Sequence, residues 1–166
     1  VVDGDKESKG RLLVLAGSRT VPGAALLAAT AGMRACAGKL QVATGESVAT
    51  QIGVAMPEAK VVGLPESGDG SLADAALPRI IDLARDADAI VAGPGMEANG
   101  LCAKIASALL ASDARLAIDA ALLHELEPVE DASVPVPLLL PHAGELASLL
   151  DREEEDVESD PIGSGL

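Results

Sequence analysis

The sequence has no Phe, Tyr or Trp anywhere in its 166 residues. It is also short of positive charge, since 12 Lys+Arg against 26 Asp+Glu give a formal net charge of −14. Without a ring to stack on a base or a basic stripe to neutralise phosphates, a nucleic-acid partner is excluded as a working expectation. The same sign disfavours docking on an anionic membrane. Apolar runs of about 18 residues are missing too, so no spanning helix is expected. The opening VVDGDKESKG has no apolar core of a secretory signal. Cys36 and Cys102 are too few for a disulfide framework, and no Cys/His spacing matches a structural zinc site. Together these absences predict a soluble, reduced, cytoplasmic protein with no metal-ligand set of its own.

What is present is aliphatic. Hydrophobic residues make up 49% and charged ones 23%, the balance of a globular chain. Leu, Val, Ile and Ala must fill the interior, and each buries less apolar area than a ring would. A core of that kind suits helices packed on a sheet. Residues 1–150 read as a single domain. Residues 151–166 differ, opening on DREEEDVESD with seven acids and one Arg. They read as a solvated, partly disordered acidic tail, with the start of a further helix as the alternative.

Apolar segments of two lengths alternate along the chain. Short continuous runs predict strands at Arg11 to Ala16, Leu40 to Ala43, Lys60 to Leu64, Ala89 to Ala92, Arg115 to Ile118 and Val136 to Leu140. Helices are predicted between them. The first runs from Pro22, suited to a first turn, to Cys36. Others cover Thr44 to Ile52 with Thr44 as cap, Pro78 to Arg85, Leu101 to Leu110, Ala121 to Leu126 and Gly144 to Leu150. This alternation predicts an α/β fold of three layers, a mostly parallel sheet with helices on both faces.

In such a sheet ligands bind outside the carboxyl ends of the strands. Four segments fall there. Gly17-Ser-Arg-Thr-Val-Pro-Gly-Ala24 follows the first strand and opens a helix, whose free N–H groups attract anions. It is neither a Walker loop nor G-x-G-x-x-G, and an ordinary Gly-rich turn explains it as well. Gly93-Pro94-Gly95-Met96 follows the fourth strand as a stiff turn, again open to a simple strand-to-helix explanation. Asp119 follows the fifth, where it can bond a ligand hydroxyl or cap the next helix. Pro141-His142-Ala143-Gly144-Glu145 follows the sixth and places an imidazole at the ligand edge. Glu145 falls in a first helical turn, where its charge suits the macrodipole whatever else it does. His124, Cys36 and Cys102 read as packing or surface residues.

In order, Lys9-Gly10, RLLVLAGS with Gly23-Ala24-Ala25, RACAGKLQVAT, MPEAKVVGLPE, DAIVAGPGM, LAIDAALL and LLLPHAGELASLL resemble the ADP/ATP-dependent NAD(P)H-hydrate dehydratases of the ribokinase-like superfamily. The resemblance covers residues 9–156. It implies a repair lyase that removes water from the hydrated nicotinamide ring of NADHX or NADPHX, coupled to cleavage of ADP or ATP, with Mg2+. Phosphorylating the ring hydroxyl makes it a leaving group, and loss of phosphate restores the reduced ring. The resemblance also implies a homo-oligomer. By motif matching, Ala24, Gly93 or Gly95, and His142 contact the hydrated dinucleotide. Asp119 and Glu145 join them from the positional argument.

The sequence departs from the family pattern at several points. Ala121 stands where a second acid is usual, and Ala143 replaces a proline in the His142 motif. The Lys-Gly strand, the Asn-Pro-Gly segment and the Gly-Thr-Gly-Asp motif that handle nucleotide phosphates do not occur in the 166 residues. Gly163-Ser164-Gly165 is no substitute, because no Asp follows it. No residue present is therefore assigned a catalytic role. Two other readings stay open: a non-catalytic binding or assembly module, and a small-molecule kinase of the same superfamily.

Overall fold

A computed structural model describes residues 10–126 and 136–165. Six parallel strands form one sheet in the order β3-β2-β1-β4-β5-β6. They are β1 (Arg11–Leu15), β2 (Lys39–Gly45), β3 (Lys60–Leu64), β4 (Ala89–Ala92), β5 (Arg115–Ile118) and β6 (Leu138–Leu139). The helices are α1 (Pro22–Arg34), α2 (Glu46–Ala55), α3 (Leu77–Arg85), α4 (Leu101–Leu110), α5 (Ala143–Leu150), α6 (Glu154–Ser159) and α7 (Pro161–Ser164). Short 3-10 turns cover Asp74–Ala76 and Ala120–Glu125.

The strands are apolar on both faces because both faces are covered. Side chains alternate across the pleat. Val14, Ala16, Leu40 and Val42 therefore pack with Ala25, Ala29, Val48 and Ile52 of α1 and α2. Leu13, Leu15, Ile90, Ala92, Leu116 and Ile118 turn the other way, onto Ile80 and Leu83 of α3 and Ile105 and Leu109 of α4. The result is the three-layer sandwich that the alternating segments predict.

Several boundaries differ from expectation. Thr44 does not cap α2; it is 1% exposed within β2, and α2 begins two residues later at Glu46. The cap is supplied from a distance. The Glu66 side chain, 3% exposed, accepts the Ser47 N–H at 2.7 Å and the Ser47 hydroxyl at 3.0 Å. Helix α1 ends at Arg34 and not at Cys36, because Cys36 adopts φ 68 and the chain leaves through paired bonds, Cys36 N–H to Met33 O and Ala37 N–H to Gly32 O. Only Leu138 and Leu139 of the predicted sixth strand pair with β5, and the helix expected near Ala121 is a 3-10 turn.

The acidic segment is ordered in two short helices. Val157 of α6 is 1% exposed, and Arg152 N–H bonds back to Ala147 O of α5 after Asp151 takes φ 53. One apolar residue among seven acids is enough to pin the segment to the fold. Residues 151–156 and 158–163 stay exposed, so the segment is solvated yet helical, the alternative to a disordered end. Among the described residues no helix is long and apolar enough to cross a membrane.

Candidate functional site

The strand order reverses between β1 and β4, since the chain winds outward from β1 to β3 on one side and from β4 to β6 on the other. Such a switch point opens a crevice at the carboxyl ends of the two strands. The Gly17 and Gly93 loops stand on either side of it. They are stitched at the base by Gly93 N–H to Leu15 O at 3.0 Å and Gly17 N–H to Pro94 O at 2.8 Å.

The sheet register carries the remaining candidates to the same edge. Leu15, Ala92, Ile118 and Leu139 lie in one row across four strands. Beyond them the ladder runs one residue further through Gly93 N–H to Leu15 O, Asp119 N–H to Ala92 O and Leu140 N–H to Ile118 O. Gly93, Asp119 and Leu140 thus form the next row, with His142 two residues on. Two strand spacings separate the Gly93 and His142 strands, about 10 Å, a span that one small-molecule ligand bridges.

The glycines have steric reasons to be there. Gly93 adopts φ 114, and a Cβ on it would run into the Asp119 carbonyl oxygen. Gly95 adopts φ 65, and its Cβ would come 2.5 Å from the Ala24 methyl and 3.1 Å from Val21 O. The GPG turn therefore lies directly against the first turn of α1, with Ala24 in contact. Ala24, Gly93, Gly95 and Asp119 are brought together.

Asp119 takes the capping alternative, its Oδ1 accepting Ala120 N–H at 2.9 Å where Ala120 is held at φ 47. His142 is itself the N-cap of α5. Its Nδ1 accepts Gly144 N–H at 3.1 Å and Glu145 N–H at 3.3 Å, while Glu145 Oε2 accepts His142 N–H at 2.9 Å. This reciprocal capping box buries the Glu145 side chain to 9% exposure and leaves His142 at 71%. With Nδ1 accepting, the imidazole carries its proton on Nε2, which lies 3.5 Å from Glu145 Oε1 at an open surface. His142 is a candidate both by its position after the sixth strand and by the family motif; its capping role was not legible, because histidine is an uncommon cap.

Sequence reasoning missed a polar cluster at the mouth of the crevice. Ser18 Oγ donates to Glu97 Oε1 at 3.3 Å and accepts Val21 N–H at 3.2 Å, and the Thr20 hydroxyl also donates to Glu97. Hydroxyls flanking Gly17 were the available signal. Across from them the loop from Glu66 to Leu72 closes on itself. Arg19 reaches into it, with Nη1 on Gly68 O at 3.2 Å and Nε 4.0 Å from Glu66. Gly17, Ser18, Gly70, Ser71, Met96 and Glu97 enclose a cavity of about 10 Å³, room for about one water. Beneath Gly17, Thr44 Oγ1 is buried without a hydrogen-bond partner among the described residues.

Within that loop the Ser67 hydroxyl, then the Ser71 amide and hydroxyl, hold the Asp69 carboxyl at about 2 against an ordinary 3.8. A depressed carboxyl contributes its stabilisation above the unfolded value and loses it as pH falls through the folded one. The loop should therefore stay closed at pH 4 and open toward pH 2. Titration of the Asp69 side-chain carbon by NMR is expected to show a midpoint near 2, with the Ser71 amide following; a midpoint at the ordinary 3.8 would contradict the assignment.

Two larger hollows lie at the opposite edge of the sheet. One of about 660 Å³ is bordered by Gly10, Arg11, Gly32, Cys36, Asp88 and Arg115, and one of about 670 Å³ by Met33, Lys39, Gln41, Glu58 and Lys60. Both are wide open, and both face the amino ends of the strands, away from the N-termini of α1 and α5. Size alone does not make them the site. The described residues contain no group of three or more His, Cys, Asp or Glu arranged to hold a metal, so no residue here is assigned to Mg2+.

Comparison with known proteins agrees with this architecture. The sequence profile of the family described as NAD(P)H-hydrate dehydratase matches residues 12–161. The ADP-dependent (S)-NAD(P)H-hydrate dehydratase of Xanthomonas campestris is 44% identical over 166 residues, covering 98% of this chain and 56% of that protein. Among solved structures, the Bacillus subtilis ADP/ATP-dependent NAD(P)H-hydrate dehydratase co-crystallised with ATP/Mg2+ superposes with a TM-score of 0.79 at 26% identity, over 98% of this chain and 55% of that one. A ribokinase-like superfamily protein of Enterococcus faecalis shares the fold with a TM-score of 0.77 at 21% identity. The chain spans just over half the length of these relatives. Matched along nearly its whole length in sequence and in fold, the chain belongs to the NAD(P)H-hydrate dehydratase family.

Proposed function

We propose that the carboxyl edge of this sheet binds the hydrated dinucleotide NADHX or NADPHX, as the substrate-facing part of a NAD(P)H-hydrate dehydratase that uses ADP or ATP as co-substrate. The observation that carries the reading is the single row in which the register sets Gly93 and Asp119, with His142 just beyond it and the first turn of α1 beside it. Gly93, Gly95 and Ala24 keep the floor of the cleft free of bulk. The N-terminus of α1, with no acid in its first turn, offers partial positive charge to a diphosphate. His142 presents Nε2–H to a ligand oxygen, and Glu145 holds the ring in that orientation. Mg2+ would arrive on the nucleotide phosphates. A homo-oligomer formed over the β6 edge, where Val136, Leu138 and Leu140 are exposed, belongs to the same reading.

Among the described residues none is assigned to activating the ring hydroxyl or to stabilising charge on a transferring phosphoryl group. The 166 residues by themselves are therefore expected to bind without turnover. Titrating NADHX into the folded chain should raise its melting temperature, while a coupled assay with ADP or ATP should show no dehydration above background. An unmoved melting temperature at saturating NADHX would overturn the binding site. Clear turnover would overturn the division of labour.

A further inference from the structure

Helices lie on both faces of the sheet, but not over the same width. The register sets Val61, Val42, Val14, Val91, Ala117 and Leu138 in one row from β3 to β6, and residues in such a row share a face. Val42 and Val14 are fully buried under α1 and α2. Past β1 the cover stops: Val91 and Ala117 are half-buried, and Leu138 is 62% exposed. The next row, on the other face, shows no such fall. Ala43, Leu15, Ala92 and Ile118 are all buried, and Leu139 packs on the same cluster. Val136 and Leu140, both exposed, alternate with Leu138 and extend the open strip along β6. Apart from Arg115 at its amino end and Asp119 at its carboxyl end, no residue of this strip on β4, β5 or β6 is charged. The strip therefore runs out at the candidate site.

We propose that the open strip over β4, β5 and β6 seats a helical segment with one apolar face, equivalent to the part of its relatives' length that this chain does not span. The chain matches just over half of those relatives and shares their fold over that part, which leaves length enough for several helices. Helices already cover the rest of this sheet, as an all-parallel sheet requires. A second copy would instead bring its own formal charge of −14 against the first. A homo-oligomer of the chain alone draws on the same Val136, Leu138 and Leu140, so the segment displaces it. Seated there, the segment reaches the edge at Asp119 and brings the phosphate-handling groups to the bound dinucleotide. That last role rests on the proposed function; the docking stands on the uncovered row.

The test joins the part of the Xanthomonas campestris dehydratase outside the matched region to this chain after Leu166, and compares the joined protein with the 166-residue chain diluted to monomer. Methyl NMR with a soluble gadolinium chelate reads exposure. In the chain alone, the Val91 and Leu138 methyls should broaden while Val14 stays sharp; in the joined protein all three should be shielded. Val91 and Leu138 broadening equally in both proteins would overturn the proposal. Ala117→Glu should shift the melting temperature of the chain alone by less than about 3 °C, because its side chain points into the open strip. In the joined protein it should expose Val91 and Leu138 again, since an unpaired charge resists burial. A large loss of stability in the chain alone would mean that the strip is already covered, and would overturn the proposal too. Leu27→Glu, on the exposed side of α1, should leave the shielding intact; equal loss there would assign the effect to net charge and overturn the docking. Dehydration of NADHX with ADP or ATP should appear in the joined protein and fall about tenfold or more with Ala117→Glu. Shielding without dehydration would leave the docking standing and overturn the proposed function, whereas dehydration with Val91 still exposed would overturn the docking alone.

Discussion

Gly93→Ala is expected to cost about 4 kcal/mol of stability or more, enough to leave much of the chain unfolded at room temperature. Two penalties act together. The residue adopts φ 114, a conformation that L side chains avoid, and an added Cβ would overlap the Asp119 carbonyl oxygen. Neither neighbour can yield cheaply. Gly93 N–H is bonded to Leu15 O and Asp119 N–H to Ala92 O, so shifting either backbone breaks the row that sets out the candidate site. Urea denaturation followed by circular dichroism measures the effect. A loss below about 1 kcal/mol, the level of an ordinary substitution, would mean that the GPG turn does not pass so close to the fifth strand.

The second large effect is on binding. His142→Asn should reduce affinity for NADHX about tenfold, the loss of one hydrogen bond to the ligand, while stability stays the same or rises. Asn is among the preferred N-cap residues and accepts the same amides that Nδ1 now accepts, from Gly144 and Glu145. The substitution therefore keeps the cap and removes Nε2–H. Parallel losses of stability and binding would show that His142 serves only as the cap of α5. Unchanged binding would remove it from the site.

Much of the fold was legible because its signals are local. Runs such as RLLVL and AIVA are too short for helices and too apolar for exposed strands, and the intervening Ala/Leu segments have helical spacing. The structure places all six strands within or across the expected runs. What failed was any feature decided by distant residues. Thr44 has the chemistry of a cap, yet β2 extends through it and Glu66 caps α2 from 19 residues away. The acidic segment read as partly disordered because Val157, which pins it, is outnumbered by acids in any composition window.

The candidate site shows the same division. Gly93, Asp119 and His142 follow directly from strand ends, and the register then sets their strands side by side. Ala24 closes the segment that follows the first strand, and its singling out within that segment came from the family resemblance. Its place against Gly95 is a packing fact that no spacing reveals. Glu97 was passed over because its partners, Ser18 and Thr20, lie 79 and 77 residues away, and only the strand order β1-β4 brings them together.

Ligand is expected at the carboxyl ends of the strands, beside a cavity of about 10 Å³, and not at the amino ends, where hollows of about 660 and 670 Å³ lie. An amide-detected NMR titration of the isotopically labelled chain with NADHX decides it. Shifts should concentrate at Gly17 to Ala24, Gly93 to Glu97, Asp119 and His142 to Glu145. Shifts concentrated instead at Gly10, Arg11, Cys36, Asp88 and Arg115 would place the ligand at the opposite edge and contradict it.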